Sequence, residues 1–443
     1  MRKKALVINP WVMDFKLYDE WMHPCGLYFL IDLLWRNSYD VQFFNCLRRD
    51  DRKQKQNGTG DFLFEEISKP FVYNSIKRKF KRYGVSTQEL TDYLLSTIKP
   101  DVVFVGSSMT YWALGLAATI RVVSGIFPDV PCIVGGTAAH LISDWIRSIP
   151  GVTDVFTGSL FSAVDLEHSG IPAMADFRPL SSEASMVSAF TGLETMNHAP
   201  VITSFGCPMR CSYCASGILC KKYSRRPVKI VVEELALCAS KFGLSNAAFY
   251  DDALLLDAES HFIPFAEKIR EMGLSMLFHT PNGLHVKFMT KQLIDLMMEI
   301  GVKTLRFGYE SGKKTDFSHT GGKTSFEQLA QKVTLMESSG FSGAAIGVYI
   351  MAGLPDQTPE MVMQEMDSVA SLGVLVKPVF LSPVPHTPLF ATYAKQYPQI
   401  LSDPLTHNDS YFVTMLPNWD NTAMQQILDR AKLHNVKTTS LTR

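Results

Sequence analysis

Short apolar runs rich in β-branched residues, each followed by a helical stretch, recur along most of the chain. In the first part these runs are ALVINP from Ala5, DVQFF from Asp40, DVVFVGSS from Asp101, PCIVGG from Pro131 and DVFTGS from Asp154. Helical patterns separate them, from Gly26 to about Asn37, near Gln88 to Thr97 and from about Trp112. Strands that are apolar throughout belong to a parallel sheet covered on both faces, so residues 1–158 are expected to form a doubly wound, Rossmann-like domain. Glycines at the carboxyl ends of two such strands, Gly106 and the pair Gly135 and Gly136, let a ligand approach the backbone at the crevice where these folds bind cofactors.

From Ser159 to Pro200 the periodicity fades, and 159–200 reads as a linker. Strand and helix then alternate again, with strands ending at Phe205, near Asp251, at His279, near Gly308, near Met351 and near Ser382. Repeats of this kind suit a partial (β/α)6 TIM-type barrel over residues 201–390, whose working residues gather at the carboxyl ends of its strands. Residues 391–443, with Trp419, read as a helical C-terminal cap that serves substrate specificity or packing alone.

At 443 residues the chain has room for two or three domains, and its 43 basic residues balance 43 acidic ones. Bulk charge therefore gives no attraction to nucleic acid or membrane, and no appended basic RNA-binding domain is present. MRKKALVINPW meets Pro10 after a short apolar run and reads as a first strand rather than a signal peptide. The longest apolar segment, from Val103, is interrupted by Arg121 and several glycines, so no membrane span is expected. Basic clusters from Arg48 and from Lys77 read as solvated faces or mobile loops, with contact to an anionic substrate or to cofactor phosphate as the sharper alternative.

The run SFGCPMRCSYCAS places Cys207, Cys211 and Cys214 on one loop directly after the strand VITSF. Thiolates at this spacing can hold three irons of a cubane cluster and leave the fourth open to a ligand that is not protein. Structural zinc wants four ligands, but Cys220 lies on the wrong pitch and the next cysteine is Cys238. Cysteines that merely pack would not account for the interleaved Gly206, Pro208 and Arg210. Five scattered cysteines remain of the eight, a pattern that points to a reducing cytoplasm and no disulfide framework.

With Tyr213 before its last cysteine, this motif resembles the CxxxCxxC signature of the radical SAM superfamily. The resemblance implies a 4Fe-4S cluster held by Cys207, Cys211 and Cys214, with S-adenosylmethionine (SAM) on the open iron as the source of a 5′-deoxyadenosyl radical. It also implies an electron donor such as flavodoxin or ferredoxin. The first domain resembles the cobalamin-binding domain that precedes many radical SAM cores, in VGSSMTYW with Ser107, Ser108 and Thr110 and in VGGTAAH with Gly135 and Gly136. The DxHxxG loop that supplies a lower cobalt ligand in other cobalamin proteins is absent.

At the strand ends, the resemblance implies that Asp251 or Asp252 meets the SAM amino group, although the family's glycines are missing here and one of the two can equally cap the following helix. It further implies Arg306 as a two-pronged donor to the SAM carboxylate, Glu310 and Ser311 near ribose or substrate, and Gly347 against adenine. His279 is a candidate for holding substrate or moving a proton. The activity so implied is methyl transfer from cobalamin to an unactivated carbon of a small molecule, lipid or peptide. Its alternative is radical rearrangement, cyclisation or oxidation, with cobalamin as redox partner or absent.

Overall fold

The computed structural model describes residues 2–311 and 324–441. They divide into two compact units, one running to Asn197 and including Leu401–Thr406, the other comprising His198–Ile400 and the chain from His407.

The first unit contains β1 (Lys3–Asn9), β2 (Val12–Asp14), β3 (Tyr39–Asn45), β4 (Phe64–Glu66), β5 (Lys81–Tyr83), β6 (Val102–Ser107), β7 (Cys132–Gly136) and β8 (Asp154–Val155). Five of these form a parallel sheet in the order β3-β1-β6-β7-β8. Ala5, Leu6, Val7 and Ile8 are all fully buried, as a strand covered on both faces requires. Leu6, Ile8, Val103, Val105 and Val134 pack with Leu116, Ile120 and Val123 of the helix Ala113–Ile126. The chain leaves β1 to one side for β3 and returns on the other at β6, so the strand order reverses between β1 and β6 and a crevice opens at their carboxyl ends.

The remaining strands form a small antiparallel sheet, β2-β5-β4, which carries much of the basic sequence. Its charges have partners. Arg82 pairs with Glu65 at 2.6 Å, Lys79 with Glu66 at 2.8 Å, and Lys81 lies 3.8 Å from the centre of the Phe64 ring. In the cluster from Arg48, Arg49 pairs with buried Asp19 and Arg52 with Asp50. Burial pushes the Asp19 carboxyl up to about 6 despite the pull of Arg49.

The stretch expected as a linker has structure of its own and packs on this unit. Ser185 N–H and the Ser188 hydroxyl donate to buried Asp32, at 3.1 Å each. Tyr39 stacks edge-on against Phe177 and Tyr28 against Phe190. Its periodicity faded because its helices are only five or six residues long, too short to show a repeat.

The second unit contains β9 (Ala199–Val201), β10 (Ser204–Phe205), β11 (Ser224–Arg225), β12 (Asn246–Phe249), β13 (Leu277–His279), β14 (Val302–Glu310), β15 (Ile346–Ala352) and β16 (Leu375–Phe380). Six of them form one parallel sheet, β16-β15-β14-β13-β12-β9, the wall of the expected partial barrel. Its outer face is closed by helices, with Phe249 and Phe278 stacked on each other and both meeting Phe265 of the helix Phe262–Glu271 edge-on.

The helix Asn421–Leu441 covers the β16 edge. The Asn435 side chain donates to Val376 O at 2.9 Å and accepts from Val376 N–H at 2.8 Å, which satisfies edge groups that would otherwise recruit another strand. Arg430 and His434 both hold Asp367 on the neighbouring helix Pro359–Ala370. No helix among the described residues is long and apolar enough to cross a membrane.

Candidate functional site

The strand expected to end at Phe205 is divided. Its first half, β9, joins the barrel wall, while β10 turns away and pairs antiparallel with β11, Ser204 opposite Arg225 and Phe205 opposite Ser224. Residues 206–223 are thus a loop on a two-stranded neck, and all three motif cysteines lie on it. Gly206 opens the loop at φ +79°, and a Cβ there would stand 3.0 Å from Cys220 Sγ and 3.3 Å from Lys222 O, so only glycine fits without a shift. Cys220 donates its thiol proton to Lys222 O at 3.3 Å and so closes the neck.

Cys207 and Cys211 are half-buried and Cys214 is exposed. Cys214 N–H donates to Cys211 O at 3.1 Å, and Leu389 N–H reaches Ser212 O at 2.9 Å, fixing the far end of the loop. Ser216 N–H donates to Cys214 Sγ at 3.4 Å, with the Ser216 hydroxyl oxygen 3.2 Å from the same sulfur. Burial pushes the Cys207 thiol up, and the nearby charges of Asp252, Cys214 and Cys211 push the same way. Among the described residues no three His, Cys, Asp or Glu side chains converge on one ion. Three soft donors on one short loop are the ligand type of a cluster in which each thiolate takes a different iron.

The two aspartates after β12 part company. Asp251 is 4 % exposed and accepts from Thr203 Oγ1 and Ser204 Oγ, at 2.6 Å each, and from Thr203 N–H at 3.1 Å. Asp252 is solvent-accessible, hydrogen-bonds Ser216 and acts on the charge of Cys207, which puts it beside the cysteines. Desolvation raises its carboxyl pKa, and the Ser216 bond lowers it. Backbone acceptors at this strand end are occupied, since Asn282 Nδ2 donates to Tyr250 O at 2.9 Å and Asp251 O at 3.3 Å.

Glu310 ends β14 at φ +67°, after a register shift between Gly308 and Glu310. A non-glycine residue held there costs on the order of 1–3 kcal/mol, a strain that persists where the surroundings impose it. Its negative charge acts on Tyr213, whose phenol is pushed well above its ordinary value, by burial first and then by Glu310. Ser311, 1 % exposed, donates its backbone N–H to Tyr309 O at 2.9 Å.

Three of the expected residues lie elsewhere. Arg306 Nη1 donates to Leu305 O at 3.1 Å and to Ala345 O at 3.2 Å, the latter just before β15 begins. Gly347 is the second residue of β15, and a Cβ there would stand 2.9 Å from Arg306 Cδ, so the arginine stem fills the space expected for adenine. His279 bonds Thr304 Oγ1 and, at 3.0 Å, Asn246 Oδ1 on the first residue of β12. All three therefore face partners at the amino-terminal half of the strands, the end opposite the cysteine loop. Assigning side chains to strand ends from sequence failed here because β13 has only three residues and β14 nine, so ends do not align across the sheet.

In the first unit the expected residues cluster at the carboxyl ends of β6 and β7. Ser107 donates its hydroxyl to Gly135 O at 2.8 Å and accepts from Ala139 N–H at 3.0 Å, and so serves the turn itself. Gly136 is at φ +103°, where a Cβ would meet Ser107 O at 2.3 Å. A Cβ on Gly135 would lie 3.9 Å from Phe156 O, in ordinary contact; Ser108 is exposed and Thr110 is buried. Sequence reasoning missed Asp14 and Trp112, whose bond from Nε1 to Oδ2 at 2.8 Å ties the segment after β1 to the segment after β6. An acid and an indole almost a hundred residues apart carry no local signal.

Two buried histidines of the second unit are held neutral, His261 and His279. Burial pushes each down to about 4, with Arg225 and Arg306 adding repulsion. Because the folded value lies below the ordinary 6.5, the unfolded chain binds these protons first as pH falls. Their contribution is complete above about pH 6.5 and is lost toward pH 4. Between pH 7 and pH 5 the loss should be about 2 kcal/mol per histidine. Asp19, in the other unit, has the opposite sign. Urea unfolding at both pH values should show the decline, and the His261→Gln/His279→Gln double variant should flatten it; an equally steep profile in that variant contradicts the assignment.

Residues 201–369 match the family model described as Radical SAM superfamily. An uncharacterized methyltransferase of Pyrococcus horikoshii is 28 % identical over 163 residues, 37 % of this chain and 34 % of that protein. Cytidylyl-2-hydroxyethylphosphonate methyltransferase of Streptomyces wedmorensis is 21 % identical over 372 residues, 70 % of this chain and 65 % of that protein. The chain thus spans about a third of one curated relative and just under two thirds of the other. Among solved structures, the radical S-adenosylmethionine methyltransferase TsrM of Kitasatospora setae, with cobalamin and a [4Fe-4S] cluster bound, superposes with a TM-score of 0.61 at 15 % identity, over 89 % of this chain and 75 % of that one. That likeness shows a shared fold.

Proposed function

We propose that this chain, whose residues 201–369 are a radical SAM domain, catalyses cobalamin-dependent methyl transfer to an unactivated carbon. The observation that carries the reading is the loop 206–223, which presents Cys207, Cys211 and Cys214 beside the carboxyl ends of a six-stranded parallel sheet. When bound, the cluster with SAM supplies a 5′-deoxyadenosyl radical that removes a hydrogen atom, and methylcobalamin supplies the methyl group.

The chain's own residues bind and orient. Cys207, Cys211 and Cys214 would hold the cluster, while Ser216 donates to Cys214 and tempers its charge. Asp252, a carboxylate beside Cys207, would take the SAM ammonium group. Half-buried Tyr213 on the loop feels the charge of buried Glu310 at the end of β14, and Glu310 would meet a ribose hydroxyl or substrate. In the first unit Ser108, exposed after β6, and Gly135 near the end of β7 would meet cobalamin, with buried Thr110 as a further candidate. Methyl transfer rather than rearrangement is supported by the two methyltransferase relatives and by the TsrM fold.

Anaerobic reconstitution with iron, sulfide and hydroxocobalamin, followed by reduction with SAM, tests the proposal. Retained corrinoid together with both 5′-deoxyadenosine and S-adenosylhomocysteine is the expected result. Deoxyadenosine alone, from a chain that retains no corrinoid, would replace methyl transfer with a rearrangement or oxidation.

A further inference from the structure

The neck of the cysteine loop is short, with two residue pairs between β10 and β11, and an isolated ribbon of that size is not stable in water. What holds it comes from elsewhere in the unit. Ile202, Thr203 and Ser204, the residues that lead into Gly206 and Cys207, are each gripped by a buried side chain. Ile202 O accepts from Arg226 Nη1 at 2.8 Å, and Arg226 is paired with Glu234 at 2.6 Å. Thr203 O accepts from Arg226 N–H at 2.8 Å. The Thr203 and Ser204 hydroxyls and the Thr203 N–H all donate to Asp251.

Burial raises the Asp251 carboxyl while the bonds from Thr203 and Ser204 hold it down, and as a carboxylate it sets the direction of this chain of bonds. The Thr203 hydroxyl has one proton, and at 2.6 Å it goes to Asp251. Thr203 Oγ1 is then an acceptor toward His261 Nε2, 2.5 Å away, so His261 carries its proton on Nε2. A neutral imidazole, a hydroxyl and a carboxylate form one directed chain, buried to 4 % exposure or less at each member. Asp251 Oδ1 receives both hydroxyls, and the Thr203 N–H is shared between Oδ1 and Oδ2. Little acceptor capacity on Asp251 remains for a ligand.

We propose that Asp251 is a positioning residue, which sets the height and angle of the cysteine loop through Thr203 and Ser204 and makes no contact with SAM. The proposal rests on the reading of residues 206–223 as the cluster loop. It gives the adjacent aspartates different tasks: Asp251 bonds Thr203 and Ser204 on the neck, and Asp252 lies beside Cys207 and Ser216.

The full chain is reconstituted with iron and sulfide as wild type and as Asp251→Asn, Asp252→Asn, Thr203→Val and Thr203→Ser. Electron paramagnetic resonance of the reduced, SAM-free cluster and the equilibrium Kd for SAM are measured for each. Asp251→Asn and Thr203→Val are expected to broaden the SAM-free spectrum and to release iron to a chelator several-fold faster. Thr203→Ser, which keeps the hydroxyl, should restore the wild-type spectrum. Asp252→Asn should leave that spectrum unchanged and weaken SAM binding at least tenfold. An unchanged SAM-free spectrum in Asp251→Asn, with SAM binding weakened, would make Asp251 a ligand contact and overturn the proposal. If Asp251→Asn does not fold, Thr203→Val decides in the same way. A wild-type chain that takes up no cluster overturns the cluster reading and this inference together, and so differs from failure of this inference alone.

Discussion

Alanine at Cys211 is expected to yield a folded chain that holds no intact cluster and forms no 5′-deoxyadenosine above background. Cys211 lies on a loop, half-buried and outside every sheet, so its removal leaves the β10–β11 neck and the barrel wall as they are. On the proposed reading, what disappears is one of three ligands to a cluster that would already have an iron without a protein ligand. The loss should exceed the ~10–100-fold typical of groups that only support a ligand, such as Ser216 here. Cys220→Ala is the control, because that thiol donates to Lys222 O and its sulfur lies against Gly206, facing the neck. It should retain the cluster's visible absorption and its iron content. Equal loss in the two variants would mean that Cys220 is a ligand and that the motif has been read one cysteine short.

Arg226→Ala should be the most damaging substitution to stability. The Arg226 and Glu234 side chains are 1 % and 2 % exposed, and removing the arginine strands a buried carboxylate. Breaking such a pair from one side costs about 3–5 kcal/mol, and here Ile202 O also loses its donor. The double variant Arg226→Met/Glu234→Leu should recover most of that energy, since two apolar groups of similar volume leave no orphaned charge. The urea midpoint reports stability and iron retention reports loop position. The double variant is expected to regain the first more fully than the second, because methionine cannot hold Ile202 O. A single variant within about 1 kcal/mol of wild type would show that water reaches Glu234 and that the pair is not sealed.

Much of the architecture could be read from apolar runs. Ala5–Ile8, Val102–Val105 and Cys132–Val134 are buried on both faces and could only be inner strands of a parallel sheet. The cysteine loop was legible because its three thiols are neighbours in the chain, so their spacing survives in one dimension. Gly136 was legible for a similar reason, since a backbone at φ +103° is written locally as glycine.

The rest depends on which way a side chain points and what it meets. His279, Arg306 and Gly347 sit on the expected strands, yet partners at the amino-terminal half occupy them, because strand lengths differ across the sheet and ends read one at a time do not share a level. Asp251 and Asp252 are identical letters whose environments diverge, one enclosed by Thr203 and Ser204 and the other beside Cys207. The sequence by itself determined the strand and helix alternation, the parallel sheets and the cysteine loop, because burial on two faces and ligand spacing are local in the chain. Only the tertiary structure decided which polar groups reach that loop, because hydrogen bonds such as Thr203 to Asp251 and Asn282 to Tyr250 join residues dozens of positions apart.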